Sequence, residues 1–73
     1  MSLRSLTWQI PLTLFQRFDG GEIVESLVPI AWNLQIGDRL MYEAGSNISG
    51  MAEVVVVGKT NRDDIRCTFK KVY

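Results

Sequence analysis

The chain has no histidine and only one cysteine in 73 residues. Without histidine it lacks the side chain that most often serves as a general base near neutral pH. A single cysteine cannot close an internal disulfide, and a structural zinc site wants four Cys or His ligands. Two of the staples on which small domains rely are therefore absent, which favours the third, self-association. An excess of charge of one sign is missing too, since eight Lys and Arg balance eight Asp and Glu. Nothing in the net charge draws the protein onto nucleic acid or an anionic membrane. No apolar run nears the roughly 20 residues of a membrane span, and Arg4 is not followed by the unbroken apolar core of a signal peptide. The expectation is a soluble, cytoplasmic protein with no membrane partner, forming one domain over residues 1–73.

What the chain does have is alternation. Leu6, Trp8, Ile10, Leu12 and Leu14 are apolar, with Thr7, Gln9, Pro11 and Thr13 between them. Period two predicts a half-buried strand, with Pro11 placing it at an edge or a bulge. Asp19-Gly20-Gly21 reads as a hairpin turn that faces Phe18 with Ile23 and Leu14 with Leu27. A second strand runs from Glu22 to Val28, and Pro29 ends it. Ile30 to Ile36 is apolar without alternation and predicts a short irregular or 3-10 connection, with Trp32 as a plug. Gly37-Asp38 opens a third strand with Leu40, Tyr42 and Ala44 on one face. After a loop over Gly45 to Gly50, a fourth strand places Ala52, Val54 and Val56 on one face, with Val55 and Val57 on the other. Four consecutive valines predict a strand covered on both sides. A polar turn from Gly58 to Asp64 leads to a fifth strand, with Ile65, Cys67 and Phe69 inward and Arg66, Thr68 and Lys70 outward. The fold expected is all-β: a small five-stranded antiparallel barrel, with at most one short helical turn near residues 30–36 and no amphipathic helix.

Catalytic candidates are few. Cys67 alternates with two core positions and reads as a buried core residue. Glu22 with Glu25, and Asp63 with Asp64, read as solvated surface rather than acid–base pairs. Neither a cofactor nor a metal is expected. Charge is nevertheless uneven: residues 1–58 carry net −3 and residues 59–73 net +3. Lys59, Arg62, Arg66 and Lys70 line the last hairpin, with Arg39 near the opening turn. Cations in a row can follow a phosphate backbone, and Tyr42 or Tyr73 could stack on a base. The same cations can equally guard an edge strand against aggregation. Phe15, Val55 and Val57 fall on the face opposite the expected core and form a candidate interface for an oligomer.

The run Gly37-Asp38-Arg39-Leu40-Met41-Tyr42, followed by Ile48-Ser49-Gly50-Met51-Ala52-Glu53-Val54, resembles the PUA-like superfamily and its ASCH and EVE branches. Ile65 to Val72 is similar to their closing strand, so the likeness spans about residues 36–72. It implies a small PUA-like or SH3-like barrel. The ASCH binding-cleft signature would put a lysine at Glu22 and an arginine at Leu27. Both cations are missing, which counts against nucleotide or RNA binding through that cleft and against the amidohydrolase activity of some members. A weaker similarity runs to small β-barrel proteins that join phage heads to tails, over Asp19 to Glu22, Trp32, Gly37 to Tyr42 and Asn61-Arg62 to Cys67. The expected function is a non-catalytic binding module for RNA or DNA, using Arg39, Lys59, Arg62, Arg66 and Lys70. The alternative is a structural or protein-interaction module that homo-oligomerises through Phe15, Val55 and Val57.

Overall fold

The computed structural model describes residues 2–73. Its elements are β1 (Leu3–Gln9), α1 (Leu12–Asp19), β2 (Val24–Pro29), a 3-10 turn (Ile30–Trp32), β3 (Arg39–Ala44), β4 (Ile48–Asn61) and β5 (Asp64–Val72). The five strands form one mixed sheet in the order β1-β3-β4-β5-β2. β1 lies parallel to β3, and the other pairings are antiparallel. β1 and β2 are the two edges and do not pair with each other, so the sheet is open where a closed antiparallel barrel was expected. The short helical turn expected near residues 30–36 is present at Ile30–Trp32.

The largest departure from expectation is α1. Alternation through Leu14 predicts a strand, yet β1 stops at Gln9. Pro11 sits at φ −60° before the first helical residue, where its missing N–H costs nothing. Leu14, Phe15 and Phe18 then share one face at helical spacing; Phe18 is buried and the other two pack against the core. Leu12 is left 61% exposed. The glycines that suggested a hairpin stop this helix instead. Gly21 takes φ 98°, its N–H donates to the Phe18 carbonyl at 3.1 Å, and the Glu22 N–H donates to the Arg17 carbonyl at 3.0 Å. These two bonds form a Schellman motif, which calls for the same left-handed glycine as a tight turn. Instead of returning as a hairpin, the chain crosses from one edge of the sheet to the other.

The core lies between the sheet and α1. Leu40, Tyr42 and Ala44 on β3, Ala52 and Val54 on β4, and Cys67 and Phe69 on β5 are all buried on the expected face. Val56 departs from that pattern. A bulge between Val54 and Val56 inserts a residue opposite β5, so Val56 turns out to 50% exposure and Val57 turns in against the core. The valine run is covered on one face of the sheet only. Four aromatics knit the core together. Trp8 stacks on Phe69 with centroids 4.1 Å apart and meets Phe18 edge-on at 5.4 Å, and Phe18 meets Tyr42 edge-on at 4.9 Å. The Trp8 indole N–H donates to Ser26 Oγ at 3.2 Å, joining one edge strand to the other.

A helix and a strand make different demands on Leu12 and Phe18. Phe18→Ala should cost about 3–5 kcal/mol, comparable to the net stability of roughly 3–5 kcal/mol expected for a domain of this size. The variant should be largely unfolded by circular dichroism. Leu12→Ala should shift the urea midpoint by no more than about 0.5 kcal/mol of stability, whereas a strand burying both residues would make both changes severe.

Candidate functional site

Asp38 is the one buried charged side chain among the described residues. Its Oδ1 accepts from Ser2 Oγ at 2.9 Å, and its Oδ2 accepts from the Gln35 N–H at 2.9 Å and from Arg4 Nη1 at 3.0 Å. Arg4 also donates to the carbonyls of Asn33 and Trp32. The Gln35 backbone bond, with Ser2 and Arg4 behind it, holds the Asp38 carboxyl below its ordinary value despite burial. Every strong donor around this carboxylate is already engaged, so the cluster is a strut between β1 and the entry to β3.

The five cations expected to bind nucleic acid do not form one row. Arg39, Glu53 and Lys70 are register neighbours on β3, β4 and β5. Arg39 Nε lies 3.1 Å and Lys70 Nζ 3.8 Å from the Glu53 carboxylate. Arg66 Nη1 lies 3.3 Å from Glu25 on β2. Lys59, near the end of β4, and Arg62, in the turn after it, make no ion pair among the described residues. The interface candidates also scatter. Phe15 is on α1, 6.3 Å from Tyr42 between ring centroids, and Val57 is on β4 opposite Cys67; each packs against the core, so neither faces away from it as expected. Val55 is half-buried in the β4 bulge.

The remaining candidates sit apart from any cleft chemistry. Glu22 pairs with Arg17 at 3.3 Å beside the helix stop. Asp63 and Asp64 stand at the β4–β5 turn. Cys67 is fully buried, and desolvation pushes its thiol above the ordinary 9.0. Lys71, whose ammonium is held up by its hydrogen bond to Asp19, ties β5 to the last residue of α1. No group of three or more His, Cys, Asp or Glu suited to a metal ion occurs among the described residues, and no helix among them is long and apolar enough to cross a membrane.

One surface feature shares only Val57 with the expected sites. An open groove of about 460 Å³ runs between the Ile30–Ile36 connection and the β4–β5 hairpin. Ile30, Leu34, Ile36, Val57 and Ile65 make it apolar, and Thr60 adds a hydroxyl. Ile36 is 68% exposed at its rim. The sequence signal for it was the apolar run from Ile30 to Ile36, which by itself is indistinguishable from an ordinary buried connection.

No protein-family model matches the chain, and no curated protein and no solved structure resembles it at a significant level.

Acid should expose the dependence on Asp38. Its folded-state pKa lies below the ordinary 3.8, so its contribution is complete above that value and is lost as pH falls further. Asp38→Ala should cost about 1.5–3 kcal/mol at pH 7, the range for hydrogen bonds to a charged group. It should also flatten the acid limb of stability against pH, measured by urea denaturation between pH 2 and 7.

Proposed function

We propose that the protein is a non-catalytic interaction module that assembles with copies of itself through apolar surface. The observation that carries this reading is how its charges are spent. Six of its cationic side chains, Arg4, Arg17, Arg39, Arg66, Lys70 and Lys71, lie within ion-pair distance of its own carboxylates. Apart from the partly buried Arg4–Asp38 pair, these exposed pairs add little to stability, but they remove cations from a phosphate-binding surface. Of the five cations that nucleic-acid binding would use, only Lys59 and Arg62 remain unmatched among the described residues. Large apolar side chains stand in water meanwhile, among them Ile23, Ile30, Ile36 and Val56. A 73-residue chain with no cross-link gains from covering such surface with a partner.

Salt separates this reading from nucleic-acid binding. Two phosphate contacts give a log–log salt slope of only about −1.5 to −2, and affinity to match. Sedimentation equilibrium should show concentration-dependent association that persists at high salt. An oligonucleotide should show no salt-sensitive retardation in a gel at low salt. A monomer at all concentrations would remove the reading.

A further inference from the structure

Five charged side chains make no ion pair among the described residues, and four of them are neighbours; the fifth, Glu43 on β3, accepts from Gln9 Nε2 at 3.1 Å. Lys59, Arg62, Asp63 and Asp64 make no ion pair among the described residues, and all four lie within six consecutive positions at the tip of the β4–β5 hairpin. That hairpin forms one wall of the apolar groove through Val57, Thr60 and Ile65. Across the groove stands Ile36, the most exposed apolar side chain of its lining. One end of the molecule therefore carries an apolar hole, an apolar knob, two free cations and two free carboxylates. β4 also outruns its neighbour here: the last β3 pairing is Arg39 with Glu53, and Val54 bonds the entry turn through Gly37 and Asp38. Beyond Val54, no strand covers that side of β4 among the described residues.

We propose that this end is a two-fold self-association face, in which Ile36 of one copy enters the groove of a second and the two hairpin tips pair Lys59 and Arg62 with Asp63 and Asp64 of the other copy. The inference rests on the assembly reading above and names its surface. Charge decides the occupant. A two-fold interface sets one patch against its own copy, so charges in it are matched when the patch carries both signs, and the tip has two of each. A nucleic acid would meet Asp63 and Asp64 as like charges, and a strongly acidic or basic partner would leave half the tip opposed. An isoleucine beside an isoleucine- and valine-lined groove supplies the desolvated centre that an interface needs inside a polar rim. A standard interface takes about 800 Å² per partner, roughly one-sixth of the 4716 Å² of accessible surface.

The test is a set of variants followed by sedimentation equilibrium, each checked for folding by circular dichroism. Ile36→Glu changes an exposed side chain and should leave the fold intact while weakening self-association at least about tenfold. K59E/R62D makes the tip wholly acidic, and D63K/D64K makes it wholly basic. Aspartate is chosen at Arg62 because that residue has φ 59°, a conformation Asp tolerates better than most. Each charge variant alone should be monomeric, and an equimolar mixture of the two should form heterodimers. If D63K/D64K does not fold, the decision falls to Ile36→Glu and K59E/R62D. Wild-type association that none of these changes alters would overturn this face while leaving the assembly reading standing. A wild-type monomer up to about millimolar concentration would overturn both. An oligonucleotide bound by the wild type and released by K59E/R62D, without self-association, would also overturn the proposal.

Discussion

The fold depends on burying Trp8 between strands that never pair. β1 and β2 are opposite edges of the sheet, and no ladder of backbone bonds holds them near each other. The indole does so by stacking on Phe69 of β5 and donating its N–H to Ser26 of β2. Ser26 lies between Val24 and Val28 on the inward face of its strand, where a third apolar residue would otherwise be expected. An indole N–H buried without a partner costs about 1–3 kcal/mol, a large share of what so small a domain has. The polar residue on an apolar face is thus explained by the ring it serves. α1 then lays Phe18 edge-on to both Trp8 and Tyr42, closing the space that the curved sheet leaves open.

Asp38 performs the corresponding task for the start of the chain. β1 is joined to β3 by a parallel ladder with an irregularity between Leu3 and Thr7, so its first residues are weakly held by pairing alone. The carboxylate gathers Ser2 and Arg4 from that end and Gln35 from the connection before β3. The Arg39 N–H adds a bond to the Ser2 carbonyl at 2.7 Å. One side chain therefore fixes both the register of the edge strand and the path of the loop that walls the groove. Displacing it would loosen Leu34 and Ile36 along with Leu3 and Arg4, coupling the groove to the packing of β1.

Much of this was legible in the residues. Alternation in β3, the early part of β4, and β5 assigned the inward faces correctly because each strand has one wet side and one dry side. Gly37-Asp38 marked the opening of β3, where the Asp38 carboxylate accepts from the Gln35 N–H, and the loop ending at Gly50 falls where a Cβ would lie 2.8 Å from the Tyr42 ring. The region from Pro11 to Gly21 was not legible, for a physical reason. Leu12 and Leu14 continue the period of β1, whereas Leu14, Phe15 and Phe18 satisfy a helix, and the Gly-Gly pair ends either structure. Phe15, which breaks the alternation, was the residue that favoured the helix. Arg4 and Ser26 could not be assigned without tertiary partners 34 and 18 residues away in sequence. The bulge that turns Val56 outward leaves no mark in a run of four identical residues. The charges misled for a related reason: cations spaced along one hairpin look like a row until the sheet supplies the carboxylates of Glu25 and Glu53 from neighbouring strands.

Neutralisation is uneven across the surface, and the unevenness follows from topology. Within the sheet the register brings most charges to an opposite one, as for Arg39, Glu53 and Lys70 or for Arg66 and Glu25, while Glu43 meets the Gln9 amide. The β4–β5 tip extends past β3, so its side chains have fewer neighbours from which to recruit partners. The same overhang separates the hairpin from the Ile30–Ile36 connection and leaves the groove between them. Unmatched charge and uncovered apolar surface thus share one cause, the length of β4 beyond β3. A second copy docked on that end would relieve both, which is why the groove and the hairpin tip belong to one surface and not to two.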